Sequence, residues 1–233
     1  MLIDYTWFYE DIPNNRYVNL EHYSDREEWL MARADSIGGS DASSIVGLNP
    51  YKTNLQLYEE KSQGKPPEDI SDKPYVRYGN DAEEYLRALF ALDYPQYQVG
   101  YIPNSLVHNY RYAFAHYSAD GFLRERDTGR FGLLEIKTTN ILQSIQKESW
   151  KDRIPDNYYI QCLHGMMVTN AEFVVLKAQL KSEFDGEVYL QTKHYRIERE
   201  DVVEDIEYLA DAERVFWQNI QNGKKPSLIL PTL

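Results

Sequence analysis

Cysteine is almost missing. One thiol, Cys162, stands in 233 residues, which excludes an internal disulfide, and a single sulfur cannot by itself hold a structural zinc or an iron–sulfur cluster. The chain therefore reads as intracellular. Long apolar runs are missing too. No stretch is long enough to span a bilayer and no apolar run follows a basic start, so a soluble, cytoplasmic protein with no membrane partner is expected. There is no internal repeat. Residues 62–74, S-Q-G-K-P-P-E-D-I-S-D-K-P, are polar, proline-rich and aperiodic, a surface loop too short for a domain linker. Positive charge is scarce: 25 Lys and Arg face 37 Asp and Glu, a net charge of −12. That balance speaks against a surface that coats nucleic acid, but it allows a local basic groove beside an acidic metal site.

What is present is enough apolar material for a core, 42% of residues, with 20 Tyr suited to half-buried positions. One domain over residues 1–233 is expected, with an N-terminal extension (1–21) and a C-terminal helix (201–223). Ser24 with Glu27 predicts a capped helix carrying Trp29, Leu30 and Arg33. Ser40 or Asp41 is placed as the cap of a short helix ending at Gly47, and Asn54 as the cap of one ending near Gly64. A longer helix is predicted over residues 75–92, with Leu86, Leu89 and Phe90 on its apolar stripe. Strands are predicted over 97–102, 112–116, 118–123 and 131–138, the last pair joined through an Asp127-Thr128-Gly129 turn. Helices from 141 and over 155–168, with Pro155 in the first turn, precede strands over 173–180 and 188–197. The last helix, 201–222, bears Val202, Ile206, Leu209 and Phe216. The fold class is α/β: a central mixed β-sheet flanked by helices.

The sharpest segment is Leu134-Glu135-Ile136-Lys137. Strand side chains alternate, so Glu135 and Lys137 share one face while Leu134 and Ile136 point to the other. A hairpin through residues 127–129 brings Asp120 of Ser118-Ala119-Asp120-Gly121 beside them. Two carboxylates, Asp120 and Glu135, with the Ile136 carbonyl, form a hard-oxygen set of the kind Mg²⁺ takes while keeping its own waters. Lys137 then sits where it can orient water and stabilise charge on a phosphate. Glu-x-Lys also occurs on solvated sheet faces, and the Asp120 partner is what favours the functional reading. Gln161, among apolar neighbours in Tyr159-Ile160-Gln161, needs a partner, either a phosphate or water near the metal or ordinary backbone. In Gly79-Asn80-Asp81-Ala82-Glu83-Glu84, Gly79 permits close approach. Glu83 on the same face can serve as an outer metal ligand, and a solvated turn accounts for Glu84.

These pieces, with Ile37-Gly38-Gly39-Ser40-Asp41-Ala42, Gly47-Leu48-Asn49-Pro50-Tyr51-Lys52-Thr53 and Met167-Val168-Thr169, stand in one order over residues 29–180. In that order the chain resembles the lambda-type alkaline exonucleases, in particular the YqaJ-like viral recombinases of the PD-(D/E)xK, restriction-endonuclease-like superfamily. The resemblance implies a Mg²⁺-dependent 5′→3′ exonuclease, with Mn²⁺ able to substitute, that degrades one strand of linear duplex DNA. It implies Asp120, Glu135 and Lys137 as the catalytic set, supported by Glu83 and Gln161. Arg33 and Ser40 match the 5′-phosphate pocket, and Lys52 is a candidate for backbone phosphate. It further implies a single-strand annealing protein as partner, a ring-shaped homotrimer, and a phage or prophage origin in a bacterial cytoplasm. Residues 1–21 and the last helix carry no family motif. Three alternatives are a structure-specific endonuclease or repair nuclease of the same fold, a catalytically silent DNA-binding protein, and a carboxylate-pair glycosidase, which leaves Lys137 without a role.

Overall fold

The computed structural model describes residues 17–64, 72–141 and 148–230. Among these, helices α1 (Arg26–Ala34), α2 (Gly39–Ile45), α3 (Asn54–Ser62) and α4 (Pro74–Asp93) follow a first strand, β1 (Val18–His22). Then come β2 (Tyr97–Gly100), β3 (Ser105–Asn109), β4 (His116–Tyr117), β5 (Gly121–Glu125) and β6 (Phe131–Asn140). Helix α5 (Asp156–Thr169), strands β7 (Phe173–Phe184) and β8 (Glu187–Glu198) and helix α6 (Val203–Gln221) complete the order.

Five strands form the main sheet in the order β2-β5-β6-β7-β8. Its pairs are antiparallel except β6–β7, which is parallel and crossed over by the segment containing α5, so the sheet is mixed as expected. Helix α4 covers one face. Its Leu86 and Phe90 pack with Leu134, Ile136, Phe173 and Val175. Helix α5 covers the other, where Leu163, Met166 and Met167 meet Leu133, Val174 and Leu176. The alternation read from the sequence therefore holds: Leu134 and Ile136 lie under α4, and Glu135 and Lys137 face the α5 side. Two close approaches set the helices in place. A Cβ on Gly79 of α4 would stand 3.1 Å from Thr138 Oγ1, and one on Gly165 of α5 only 2.9 Å from the Tyr117 ring.

A second sheet, β1-β3-β4, was not foreseen. The expected strand over 112–116 is instead a 3-10 turn at Tyr110–Tyr112 leading to the short β4. Asn109 makes the turn: its side chain accepts the Arg111 N–H at 3.0 Å and donates to the Val168 carbonyl at 3.1 Å. Strand β3 went unseen because polar Ser105 and Asn109 are buried among its apolar residues, which hides the alternation. Strand β1 also takes part of the supposed N-terminal extension into this sheet, pairing Val18 through His22 with β3.

Every predicted cap before α4 shifts by one or more residues. Asp25, not Ser24, caps α1, because its carboxylate accepts the Glu28 N–H at 2.8 Å. Thr53, not Asn54, caps α3 in a reciprocal box with Gln56. Asn54 is engaged elsewhere, holding Ser227 and Ile229 of the C-terminal segment at 2.7 and 3.0 Å. Gly38, not Ser40 or Asp41, precedes α2, and the Asp41 carboxylate accepts its N–H at 3.1 Å. Pro155 is the residue before α5 rather than in its first turn, and α6 starts at Val203 after a 3-10 turn. Leu89 is exposed, so the buried stripe of α4 is narrower than predicted. The predicted helix from residue 141 and most of the 62–74 loop lie outside the described residues. No described helix is long and apolar enough to cross a membrane.

Candidate active site

Asp120 stands just before β5, and this position explains its role. The β5–β6 ladder ends at Gly121↔Leu134. One step further, the Asp120 side chain takes over, and its Oδ2 accepts the Ile136 N–H at 2.8 Å. A strand residue sends its N–H and C=O to the same side, so the Ile136 carbonyl faces the Asp120 edge as well. This substitution of side chain for backbone is why the predicted strand over 118–123 starts three residues late.

Glu135 is fully buried, yet three donors satisfy it. Lys137 Nζ lies 2.7 Å from Oε1, Gln161 Nε2 donates to Oε1 at 2.6 Å, and the Tyr117 hydroxyl donates to Oε2 at 2.6 Å. A carboxylate offers about four lone-pair sites, so one remains for a further partner. For Gln161 the sequence left open a phosphate, a water near the metal or ordinary backbone as partner; the structure places its amide on the Glu135 carboxylate. Sequence reasoning missed Tyr117 altogether.

Asp120 and Glu135 are like charges in a confined space. Burial and the neighbouring Glu135 hold the Asp120 acid well above the usual carboxylate range, and Lys137 only partly offsets this. Burial pulls the Lys137 ammonium down, but Glu135 and Asp120 outweigh it and hold it above its ordinary value. Lys137 is therefore a cation at neutral pH, a donor rather than a base. Besides burial, ionising both acids against the one base is what raises Asp120, and a cation between them would relieve that repulsion. Among the described residues no group of three or more His, Cys, Asp and Glu closes on one point. The donors present are Asp120, Glu135 and the Ile136 carbonyl, hard oxygens that suit a water-completed Mg²⁺.

Glu83 lines the same cleft as Asp120, and its charge reaches that carboxyl. Its Oε1 pairs with Arg87 Nη1 at 2.8 Å, one helical turn away. Arg87 was also missed. It is buried, stacks 3.6 Å over the Tyr101 ring, and donates to the Asp120 main-chain oxygen. The i, i+4 spacing from Glu83 was the available signal.

Beside Asp120 opens a cleft of about 970 Å³. Its walls are Arg26, Trp29 and Arg33 of α1, Asn80, Glu83 and Arg87 of α4, and Tyr101 to Asn104; Asp120 and Gln161 lie at its base. The Arg33 and Arg26 guanidinium groups stack on Trp29 at 4.5 and 5.5 Å. Burial draws the Arg33 guanidinium down, while Asp41 and Asp120 support its charge. Three arginines thus line one cleft of an acidic protein. Ser40 is exposed in the second position of α2, outside that lining, and the Asp41 carboxylate accepts the N–H of Gly38 just before the helix. The Asp41 carboxylate is neutralised by Lys61 at 2.9 Å. Lys52 is paired with Glu60 at 2.6 Å, also outside the lining.

Known proteins resemble this chain to different depths. The uncharacterized protein YqaJ of Bacillus subtilis (strain 168) is 29% identical over 205 residues, 87% of this chain; the chain spans 59% of that protein's length. The alkaline exonuclease LHK-Exo of Laribacter hongkongensis has the same fold, with a TM-score of 0.58 at 17% identity over 84% of this chain and 95% of that one. Its complex with dAMP gives 0.57 over the same shares, also at 17% identity. A phage-related exonuclease of Haemophilus somnus 129PT gives 0.54 at 13% identity over 81% and 96%. At such identities the likeness shows the fold: a mixed sheet between helices. Residues 28–172, more than half of the sequence and including Arg33, Asp120, Glu135, Lys137 and Gln161, match the YqaJ-like viral recombinase domain, and the chain belongs to that family.

Proposed function

We propose that this chain is a divalent-metal-dependent deoxyribonuclease that digests one strand of linear duplex DNA in the 5′→3′ direction. The observation that carries the reading is the convergence of Asp120, Glu135 and Lys137, with Asp120 opening onto an arginine-lined cleft. The family and the exonuclease fold support it, as does the dAMP complex of the Laribacter enzyme, since dAMP is a deoxynucleoside monophosphate.

Asp120, Glu135 and the Ile136 carbonyl are the residues that would hold Mg²⁺, with Mn²⁺ as a substitute. When bound, the ion acidifies water and neutralises phosphate charge. Gln161 and Tyr117 fix the Glu135 carboxylate. The Lys137 ammonium orients the attacking water and meets the charge that grows on the phosphate oxygens. Water adds to phosphorus and the 3′ oxygen of the terminal nucleotide leaves with a proton. Arg33, held flat on Trp29, offers its planar fork to the 5′-phosphate at the cleft wall.

Incubation with end-labelled linear duplex and with closed circular duplex, each with and without Mg²⁺, tests the reading. Metal-dependent loss of the linear substrate from its 5′ ends is expected, with the circle intact. Cleavage of the circle identifies a structure-specific endonuclease instead. No cleavage, together with no Mg²⁺ or Mn²⁺ heat in calorimetry, identifies a silent DNA-binding protein. Removing the 5′-phosphate is expected to slow digestion, and Arg33→Ala is expected to erase that preference. Equal wild-type rates on phosphate and hydroxyl ends would remove Arg33 from the pocket. As partners the reading takes DNA ends, a single-strand annealing protein and further copies of the chain in a ring.

A further inference from the structure

Beneath the carboxylates lies a polar layer that the proposed chemistry does not use. His164 of α5 is wholly buried, and each ring nitrogen meets an oxygen. Nδ1 is 2.8 Å from Glu213 Oε1 of α6, and Nε2 is 2.8 Å from the His116 main-chain oxygen of β4. A carbonyl oxygen only accepts, so Nε2 carries a proton; a second proton is held between Nδ1 and the Glu213 carboxylate. Burial alone would lower the imidazole, but Glu213 and the hydrogen bonds outweigh it and hold the ring above its usual value. Burial raises the Glu213 acid too, more than His164 lowers it. The other titratable groups facing the ring are His116 and Tyr117 of β4 and Asp41 of α2. His116 is buried, held neutral by burial and by Arg33 and Lys61, with Nδ1 2.7 Å from Ser36 Oγ.

The placement of this layer is what matters. His116 adjoins Tyr117, whose hydroxyl reaches Glu135 Oε2. One helical turn from His164 is Gln161, which reaches Oε1. A Cβ on Gly39 of α2 would come 3.1 Å from Gln161 Cγ and 3.5 Å from His164 Cδ2, so α2 closes over both residues. We propose that His164 is a positioning residue: it clamps α5 between β4 and α6, and thereby sets both hydrogen bonds that aim the Glu135 carboxylate. Only the activity readout of this inference rests on the nuclease reading.

Single loss of either partner leaves a buried polar group alone and threatens the fold, whereas replacing the pair by apolar residues is often tolerated. The test therefore compares wild type with the double variant His164→Phe/Glu213→Leu and with the near-isosteric Glu213→Gln. The double variant is expected to melt near wild type, with KM unchanged and kcat on linear duplex about 10- to 100-fold lower, the range typical of residues that orient metal ligands. The Gln161 side-chain amide resonances, read by NMR without metal or DNA, are expected to shift as the bond to Glu135 loosens. For Glu213→Gln a smaller fall in kcat is expected. The downfield His164 Nδ1–H resonance should also disappear at lower pH than in wild type, because a group raised in the fold keeps that proton below its folded pKa and loses it above it. A folded double variant with wild-type kcat and an unmoved Gln161 resonance overturns the clamp. If the double variant does not fold, unchanged kcat and resonances in Glu213→Gln overturn it. Should the wild type cleave no DNA, the nuclease reading fails, and the Gln161 and His164 resonances still decide the clamp.

Discussion

Replacing Lys137 by alanine is expected to lower turnover on linear duplex by roughly 100- to 1,000-fold, the loss seen when a fixed donor to a developing oxyanion is removed. Affinity for DNA ends is expected to stay largely intact. The argument starts from charge. The Lys137 ammonium lies 2.7 Å from Glu135, and with Asp120 near it remains protonated. It cannot then act as a base at neutral pH, and its contribution is electrostatic and geometric. Because Arg33 lines the cleft and Lys137 is not part of that lining, the Arg33 contact with an end survives the removal of Lys137. Lys137→Arg keeps the charge but not the compact geometry, and is expected to recover only part of the rate. Single-turnover rates with saturating Mg²⁺, set beside end binding measured without metal, separate the two effects. Full activity in Lys137→Ala would end the assignment of this site.

The sequence made some of this site legible and concealed the rest for a physical reason. Asp120, Glu135 and Lys137 come from adjacent strands joined by a short turn, so alternation along β6 and the Asp127-Thr128-Gly129 hairpin suffice to bring them together. Gln161 stood out as an amide among apolar residues, though its partner did not. Tyr117, His164 and Glu213 are held by contacts that no local spacing announces, and the i, i+4 spacing that pairs Arg87 with Glu83 does not announce its bond to Asp120. Glu213 meets His164 across 49 residues, and Glu213 looks like one more charge in an acidic helix until α6 is seen packed on α5. The caps failed more narrowly. Neighbouring Ser, Asp, Thr and Asn are all capable of capping, and tertiary demands choose between them, as when Asn54 is taken by the C-terminal segment. The acidic balance pointed away from DNA because net charge does not show where arginines gather. Arg26, Arg33 and Arg87 share one cleft, and only the fold brings α1 and α4 together around it.

Arg87 provides the largest expected change in stability. Its guanidinium is buried, joins Glu83 to the Asp120 backbone, and lies flat on Tyr101. Arg87→Met keeps most of the length and apolar body of the side chain while removing every donor. The Glu83 carboxylate then loses its counterion and the Asp120 carbonyl its hydrogen bond. Breaking a fully buried pair costs about 3–5 kcal/mol. The Glu83 side chain keeps 28% of its surface in solvent, which lowers the expected loss to about 2–3 kcal/mol. For a chain of this size that is a fall in Tm of roughly 5–10 °C, read by calorimetry at neutral pH. Adding Glu83→Leu to Arg87→Met removes the stranded charge and is expected to recover part of the loss, so that the double-mutant cycle shows coupling between the two positions. Activity should not recover with stability, because the Asp120 carbonyl still lacks its donor and the Ile136 N–H alone then holds the carboxylate beside it. A Tm within about 1 °C of wild type in Arg87→Met, given that one kcal/mol shifts a chain of this size by roughly 2–4 °C, would show that the guanidinium carries no net stability and that Asp120 is placed by β5 alone.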